Sequence, residues 1–538
     1  MKTKLTLPPR INMSPLFMED AYKLSHADQY PKNVVMVYSN LTPRRSRNAG
    51  DRFVFFGLQA WLLQLNEIFH RDFFNQKEEF AITQFYTDYF NFFGFHNEKE
   101  YERVRQLHRF GTLPLLVKAL PEGSAVPHGV PVLTIQNTHP DFYWLTNHVE
   151  TWLSAAIWHP STSATTAWNY RKLLDKYAKE TSDSEWFVDF QAHDFSMRGQ
   201  TSVASATASG AAHLTSFKGT DTLPAIRYIK TYYGGDLLKP GEIEDGNQHW
   251  ANTNIAPIGV DLIGTSIPAS EHSIQCCGGP DGDFDYLKRF VTEVYPSGMF
   301  SIVADGYDFW KFVTEYLPML KNEIMARDGK VIIRPDSSPK TPVEIICGDP
   351  EAPICSPEWY GLIQCLWDIF GGTRNSKEYK ELDSHIGAIY GDSITLEYAE
   401  QICARLKAKG FASTNICLGV GSYTYQMVTR DTHGIAMKAT AVGISETQSF
   451  DDMEIVPIFK DPKTDNSGKK SAKGLLKVNR VSTLPCRECE NRNPYMLFQQ
   501  GDATYEFFLD GLETVYEDGI LVKYQTFGDI RKTLLEQV

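Results

Sequence analysis

The pattern of apolar and polar positions changes character several times along the chain. From residue 51 to 112 apolar residues recur at helical spacing. FFGLQAWLLQLNEIF carries a stripe three and four residues apart, and the aromatic run EEFAITQFYTDYFNFFGFHNEKE follows it. Charges close that run at both ends and Asp and Asn interrupt it, which predicts a packed helix and not a membrane span. Residues 113–136 predict strands, TLPLLVKAL and VPVLTIQN, separated by a turn rich in Pro and Gly. TNHVETWLSAAIWH then predicts an amphipathic helix.

From about 185 to 435 the pattern alternates. Short β-rich runs end in polar residues and helical stretches follow: EWFVDFQAHDF, MFSIVADGYD, KVIIRPDSS, HIGAIYGDS and NICLGVGSY. This is the pattern of parallel strands joined by crossover helices. The polar tips then gather at the carboxyl ends of the strands, the face that carries the active site in a β/α barrel. The last hundred residues return to short strands and turns. No internal repeat interrupts this organisation.

Composition narrows the class. The 538 residues allow two to four domains. With 42% hydrophobic and 22% charged residues, global disorder is excluded. A net charge of −13 argues against a general nucleic-acid binder, although a local basic site can still hold phosphates. No run of about 18 apolar residues predicts a membrane span. The start, MKTKLTLPPRINMSPLF, has no apolar core of a signal peptide, so a cytoplasmic location is expected. The nine cysteines are scattered and odd in number. Cys486 and Cys489 form a single C-x-x-C, and a zinc ribbon needs a second pair, so reduced thiols are expected.

The strand tips combine Arg198, Arg334 and Arg430 with Asp305, Asp308, Asp336 and Asp392. Arginine forks match phosphate oxygens, and nearby carboxylates can hold Mg²⁺, its waters or a ribose diol. Such a rim suits a magnesium-complexed phosphosugar, and it equally suits structural ion pairs. In LGVGSYTYQMVTRD a buried strand runs through Gly419-Val420-Gly421-Ser422 into a helix, with Arg430 expected about two turns along it. Backbone amides of such a turn make an anion site, and a bare structural turn is the alternative. His272 stands in GTSIPASEHS, where small residues let a ligand approach; nucleophile, base and ligand are all open to it. His193, beside Phe195 in QAHDFSMRG, reads as a hydrogen-bonded strut. GKKSAKG at 468–474 reads as a solvated turn or a phosphate-reaching loop.

Taken together, EDAYKLSHADQYP, YWLTNHVET, HDFSMRG, FKGTDT, SIPASEHS, ADGYD, IIRPDS, YGDSI, GVGS with TRD, IFKDP and DGILVKYQTFGDIRK resemble, in order, the nicotinamide phosphoribosyltransferases. These are dimeric type II phosphoribosyltransferases. The resemblance implies an α/β fold: an irregular β/α barrel over 185–435, and a second α/β domain built from 1–184, with a helical insertion at about 51–112, and 436–538. It implies transfer of phosphoribosyl from phosphoribosyl pyrophosphate to nicotinamide in NAD salvage, with Mg²⁺ held mainly by substrate phosphates. ATP would act as co-substrate through a phosphohistidine at His272. Asp305 would hold Nδ1–H of that ring and leave Nε2 free to attack.

The same resemblance implies the remaining roles. Nicotinamide would lie between Phe195 and Tyr22 of a second chain, with Asp221 accepting the carboxamide N–H and Arg334 and Ser301 lining the site. Asp221 could otherwise be a helix N-cap. Arg198, Asp336, Gly391, Asp392, Gly421, Ser422 and Arg430 would bind ribose and phosphate. Lys438, Lys460 and Lys469 would face pyrophosphate and ATP, joined by Arg44 and Asp20.

Some residues depart from the family pattern. Ser422 stands where a second glycine is usual, and a positive φ there would strain it. Met197 stands where tyrosine is common. Stretches 235–264 and 347–385, the latter holding Cys347, Cys355 and Cys365, are longer than expected and read as surface insertions. The rival functions are nicotinate phosphoribosyltransfer, a barrel glycosidase using Asp336 and Asp392, and a mononucleotide binder without turnover.

Overall fold

The computed structural model describes residues 13–47, 50–234, 262–336, 340–391, 393–460, 472–480, 495–502, 505 and 509–538. The chain forms two compact units. One holds the chain up to Thr162 together with Thr429–Thr533, and the other holds Ser163–Val428 with Leu534–Val538. The chain passes from the first to the second within the helix Glu150–Thr181. The change of pattern near 185 therefore marks the approach to the first barrel strand, which comes after the passage between units.

The first unit is built on a seven-stranded antiparallel sheet. Its central strand, Val34–Pro43, is rich in β-branched residues and is buried at nine of its ten positions. It pairs on one side with Ile435–Ile444 and on the other with Leu133–Asn137, which brings the two ends of the chain into one sheet. The expected helices are present as Leu58–Phe69, Glu78–Phe93 and Glu98–Phe110. The last is capped by the Asn97 side chain, which accepts from the Glu100 N–H, and it ends at Gly111 in the left-handed region. The aromatic helix is two-faced. Ile82, Phe85 and Tyr89 enter the core, while Phe80, Phe90 and Phe92 are exposed.

The second unit contains a six-stranded parallel sheet in the order Gly219–Thr220, Ala192–Asp194, Ile416–Val420, Ile386–Tyr390, Val331–Arg334, Phe300–Val303. Its strands are short and almost wholly apolar, as parallel strands covered on both faces must be. The segment Thr265–Ala269 joins the two edges. Thr265 forms a parallel bridge to Gly219 and Ala269 forms one to Ser301. These two bridges curl the sheet into the expected irregular barrel. EWFVDFQAHDF contributes less strand than expected, because Val188–Gln191 is helical and only Ala192–Asp194 is extended.

The stretch 347–385 is not a set of surface loops. Leu362, Ile363, Cys365 and Leu366 of the helix Leu362–Phe370 are buried in the barrel unit's core, and Cys347 joins them. Exposed positions gather at 353–355, which include Cys355, at the strand Gly372–Arg374 and at 376–378, the turn that leads to Lys380–Leu382. Most of 235–264, and Cys486 and Cys489, lie outside the described residues. Among the described residues no helix is long and apolar enough to cross a membrane.

Candidate active site at the barrel strand tips

Among the described residues, five of the six strands reach a polar residue at or within two positions of their carboxyl end: Asp194, Asp221, Asp305, Arg334 and Ser422. Ala192–Asp194 leads into Phe195, whose N–H donates to the Val420 carbonyl at 3.0 Å. The Phe195 ring lies beside His193, centroids 4.5 Å apart. It also packs on Gly419, where an added β-carbon would meet Cδ2 at 2.9 Å. The nearest obstacle is the Tyr390 carbonyl oxygen at 2.5 Å, so the first glycine of the GVGS turn is required by the adjacent strand's backbone as well as by this ring. The short turn Met197–Gly199 follows, with Arg198 exposed.

Asp221 follows the strand Gly219–Thr220. Its Oδ1 accepts from His193 Nε2 at 2.9 Å and from the Ser266 hydroxyl at 2.5 Å. Burial pushes the Asp221 carboxyl up, but His193, Ser266 and Arg334 together outweigh it and hold it below the usual carboxylate range. Oδ2 makes no hydrogen bond among the described residues and the side chain is 44% exposed. His193 is a strut as expected, and its load is Asp221. Asp221 is not the N-cap of the following helix Leu223–Tyr233; that position belongs to Thr222.

Several buried polar atoms lack a hydrogen-bond partner among the described residues, and two of them belong to residues expected at the site. Ser301 presents a hydroxyl that is hydrogen-bonded to nothing, and Arg334 presents an unpaired Nε while its Nη2 donates to the Ser270 carbonyl at 2.8 Å. Burying a polar group unpaired is costly, so a ligand that paired these two atoms would recover that cost.

His272 opens the short helix His272–Gln275. Its Nε2 lies 3.0 Å from Asp305 Oδ1, and its Nδ1 lies 4.0 Å from Asp336 Oδ2. This reverses the expected assignment. Asp305, at the end of Phe300–Val303, reaches the far edge of the ring, so Nε2 is held and Nδ1 is left open. Asp305 Oδ2 accepts the Asp336 N–H at 3.0 Å, which ties the histidine's partner to the next strand tip. Asp336 Oδ1 in turn occupies the space over Gly391, where an added β-carbon would stand 2.1 Å away.

At the GVGS turn, Gly421 is the N-cap and Ser422 the first residue of the helix Ser422–Gln426. Ser422 has no positive φ, so the expected strain is absent. That helix is also shorter than expected. Thr429 opens a separate turn, Arg430–Thr432, with a capping box, and this turn belongs to the first unit. Arg430 is therefore not on the phosphate-turn helix.

In the first unit, Tyr22 is 62% exposed on the turn Ala21–Ser25. Thr151 Oγ1 donates to Asp20 Oδ2 at 2.9 Å. Arg44 Nε donates to the Gly434 carbonyl at 3.0 Å. Arg430, Lys438 and Lys460 are exposed. Asp392 and Lys469 lie outside the described residues. Ser266 and Gly199 were not legible as site residues, since only the fold brings them to Asp221 and Ser422.

Among the described residues no three His, Cys, Asp or Glu side chains form a cradle for a metal ion. Asp305 and Asp336 supply hard oxygen donors one at a time.

Residues 190–519 match the nicotinate phosphoribosyltransferase (NAPRTase) family, and residues 14–117 match the N-terminal domain of nicotinamide phosphoribosyltransferase. The chain is 42% identical to a nicotinamide phosphoribosyltransferase of Acinetobacter baylyi, over 98% of each chain. It is 33% identical to one of Mycoplasma pneumoniae, over 88% of this chain and 99% of that one. A nicotinate-nucleotide pyrophosphorylase from Pyrococcus furiosus shares the fold, with a TM-score of 0.54 at 13% identity over 99% of this chain and 97% of that one. A strand-tip site of this composition on this barrel, with relatives matched from end to end, places the chain in the nicotinamide phosphoribosyltransferase family.

Proposed function

We propose that the protein joins nicotinamide to 5-phosphoribosyl 1-pyrophosphate, giving nicotinamide mononucleotide and pyrophosphate in NAD salvage. The observation that carries this reading is the state of Asp221. One oxygen is occupied by His193 and Ser266, and the other faces outward, ionised, as an acceptor for a carboxamide N–H. The same charge repels the carboxylate of nicotinate. A glycosidase acting on a neutral sugar would need neither this carboxylate nor the arginines.

In the reaction the bond from ribose C1 to the pyrophosphate oxygen breaks, and positive charge develops on the sugar. The leaving group takes the electron pair, and the pyridine nitrogen donates its own pair to C1 from the opposite face. That nitrogen carries no proton, so no general base is needed. The ring would be held flat by Phe195 and by Tyr22 of the partner subunit in a homodimer, an alignment that removes most of the entropic barrier. Ser301 and Arg334 would receive the amide and ribose edge with their unpaired hydroxyl and Nε.

Asp336 would take the ribose hydroxyls. Arg198, Gly391, Asp392, Gly421, Ser422 and Arg430 would take the 5′-phosphate and ribose. Arg44, Lys438, Lys460 and Lys469 would stabilise the charge on pyrophosphate and ATP phosphates. Magnesium would arrive as the complex of the phosphate-bearing substrates. For coupling to ATP, Nε2–H of His272 donates to Asp305, and the Nδ1 lone pair attacks the γ-phosphorus with departure of ADP.

The test is a product assay with phosphoribosyl pyrophosphate and Mg²⁺, with nicotinamide or nicotinate, with and without ATP. Mononucleotide from the amide, increased by ATP, is expected. Product from nicotinate alone would overturn the role of Asp221.

A further inference from the structure

Behind the nicotinamide end of the site sits a carboxylate that no role above uses. Asp194 ends the strand Ala192–Asp194 and is fully buried. Four donors converge on it. Oδ1 accepts the Ser196 N–H at 2.9 Å and the Ser196 hydroxyl at 2.6 Å. Oδ2 accepts the Thr222 hydroxyl at 2.7 Å and the Thr220 hydroxyl at 3.4 Å. The Asp194 carbonyl also accepts the Asp221 N–H at 3.0 Å.

No cation lies within ion-pair distance of this carboxylate among the described residues. The nearby His213 is pushed down to about 4, mainly by burial, and so is neutral at pH 7. Its ring is already committed to the Tyr425 hydroxyl at 2.6 Å and the Gly219 carbonyl at 3.0 Å. The buried charge is thus compensated by the dipoles of two loops.

Those two loops are the ones that read the ring. Ser196 directly follows Phe195, and Thr220 and Thr222 flank Asp221. Each group is fixed by one oxygen of the same carboxylate. Hydrogen bonds to an ionised acceptor are shorter and about twice as strong as neutral ones, so both loops are held stiffly.

We propose that Asp194 is a positioning residue for nicotinamide, one buried carboxylate that locks the stacking turn of Phe195 to the amide-reading loop of Asp221. The inference rests on the functional reading above. It assigns the spacing between the ring face and the amide acceptor to Ser196, Asp194 and Thr222, none of which would touch the substrate.

The test is steady-state kinetics on Thr222→Val, Ser196→Ala, their double variant and Thr222→Ser, with nicotinamide and phosphoribosyl pyrophosphate varied separately. Thr222→Val keeps the shape and removes one donor to a charged acceptor, so KM for nicotinamide is expected to rise about tenfold. The KM for phosphoribosyl pyrophosphate and kcat should stay within about twofold, because that substrate does not meet the amide loop. Thr222→Ser should restore the wild-type value, and the double variant should cost less than the product of the singles because both act on one carboxylate. Folded variants with an unmoved nicotinamide KM would overturn the proposal. So would variants in which kcat and both KM values shift together, the mark of a merely structural role. Asp194→Asn is added with circular dichroism and melting, and its loss of fold would leave the two hydroxyl variants to decide. A wild-type enzyme that makes no mononucleotide would overturn the functional reading together with this one, whereas an active wild type with unmoved variants overturns this one alone.

Discussion

The hydroxyl of Ser422 lies directly over the α-carbon of Gly199: a β-carbon added there would stand 2.0 Å from Oγ and 2.4 Å from Cβ of the serine. Rotating the serine moves Oγ away but leaves Cβ in place, so the clash cannot be relieved by a rotamer change. Ser422 is thus accommodated by the glycine that follows Arg198. Gly199→Ala is expected to lower kcat/KM for phosphoribosyl pyrophosphate by about a hundredfold, because it pushes the Arg198 turn and the phosphate turn apart. Adding Ser422→Gly should recover most of that loss. Kinetics on the two single variants and the double variant check it, and a double variant no better than Gly199→Ala would refute the coupling.

The orientation of His272 makes a chemical prediction. With Nε2 at 3.0 Å from Asp305, the nitrogen available to phosphorus is Nδ1. Incubation with ATP and Mg²⁺ should give a phosphohistidine bearing phosphate on Nδ1, distinguishable from the Nε2 isomer by nitrogen–phosphorus NMR. Asp305→Asn would keep the ring in place and weaken its hold on the proton, and should reduce ATP hydrolysis about a hundredfold while leaving ATP-independent synthesis largely intact. Phosphate on Nε2 would mean that the ring turns over before reaction.

What could be read from the chain alone was what local periodicity encodes. The strands ending at Asp194, Val303, Arg334, Tyr390 and Val420 announce themselves as apolar runs that stop at polar residues, and the tips carry the site's chemistry. What local pattern does not encode is contact between distant segments. Thr265–Ala269 joins both edges of the sheet through two single bridges, yet its Ser-Ile-Pro-Ala sequence has no strand signal. His193 and Ser266 converge on one oxygen of Asp221 from opposite directions in sequence. The position of Arg430 was misjudged for a related reason: nothing in YQMVTRD marks where a five-residue helix stops, and the Thr429 capping box is seen only once the turn is formed.

Glu19 in the first unit is a second buried acid, and it predicts a pH dependence of stability. Nε2 of His148 donates to the Leu16 carbonyl at 2.9 Å, and its Nδ1 lies 3.0 Å from Glu19 Oε1. Neither Glu19 carboxyl oxygen has a hydrogen-bond partner among the described residues. Burial, only partly offset by Lys23, pushes this carboxyl up to about 9 from 4.5. The folded state then holds a proton that the unfolded chain releases, so the stability it contributes is full below about pH 4.5 and is lost as pH rises toward 9. Glu19→Gln keeps the shape of the side chain and cannot ionise. Its melting temperature should fall less than that of the wild type between about pH 6 and about pH 9. Parallel melting curves across that range would rule the arrangement out.

On the proposed reading, Asp221 sets the choice between amide and acid. His193, Ser266 and Arg334 keep its carboxyl below the usual range despite burial, so it stays charged throughout the physiological range. Preference for nicotinamide over nicotinate should accordingly persist from pH 8 down to about pH 5, and fade only as the pH approaches the carboxylate range. Asp221→Asn keeps an acceptor oxygen for the carboxamide and removes the repulsion. It should raise KM for nicotinamide by about tenfold and raise kcat/KM for nicotinate by at least as much, narrowing discrimination about a hundredfold. His193→Phe should act in the same direction more weakly, because it frees the carboxylate to turn without discharging it. Competition between the two bases in one reaction, followed by product ratio, reads the change directly. A ratio unmoved by Asp221→Asn would transfer the choice to other residues of the pocket.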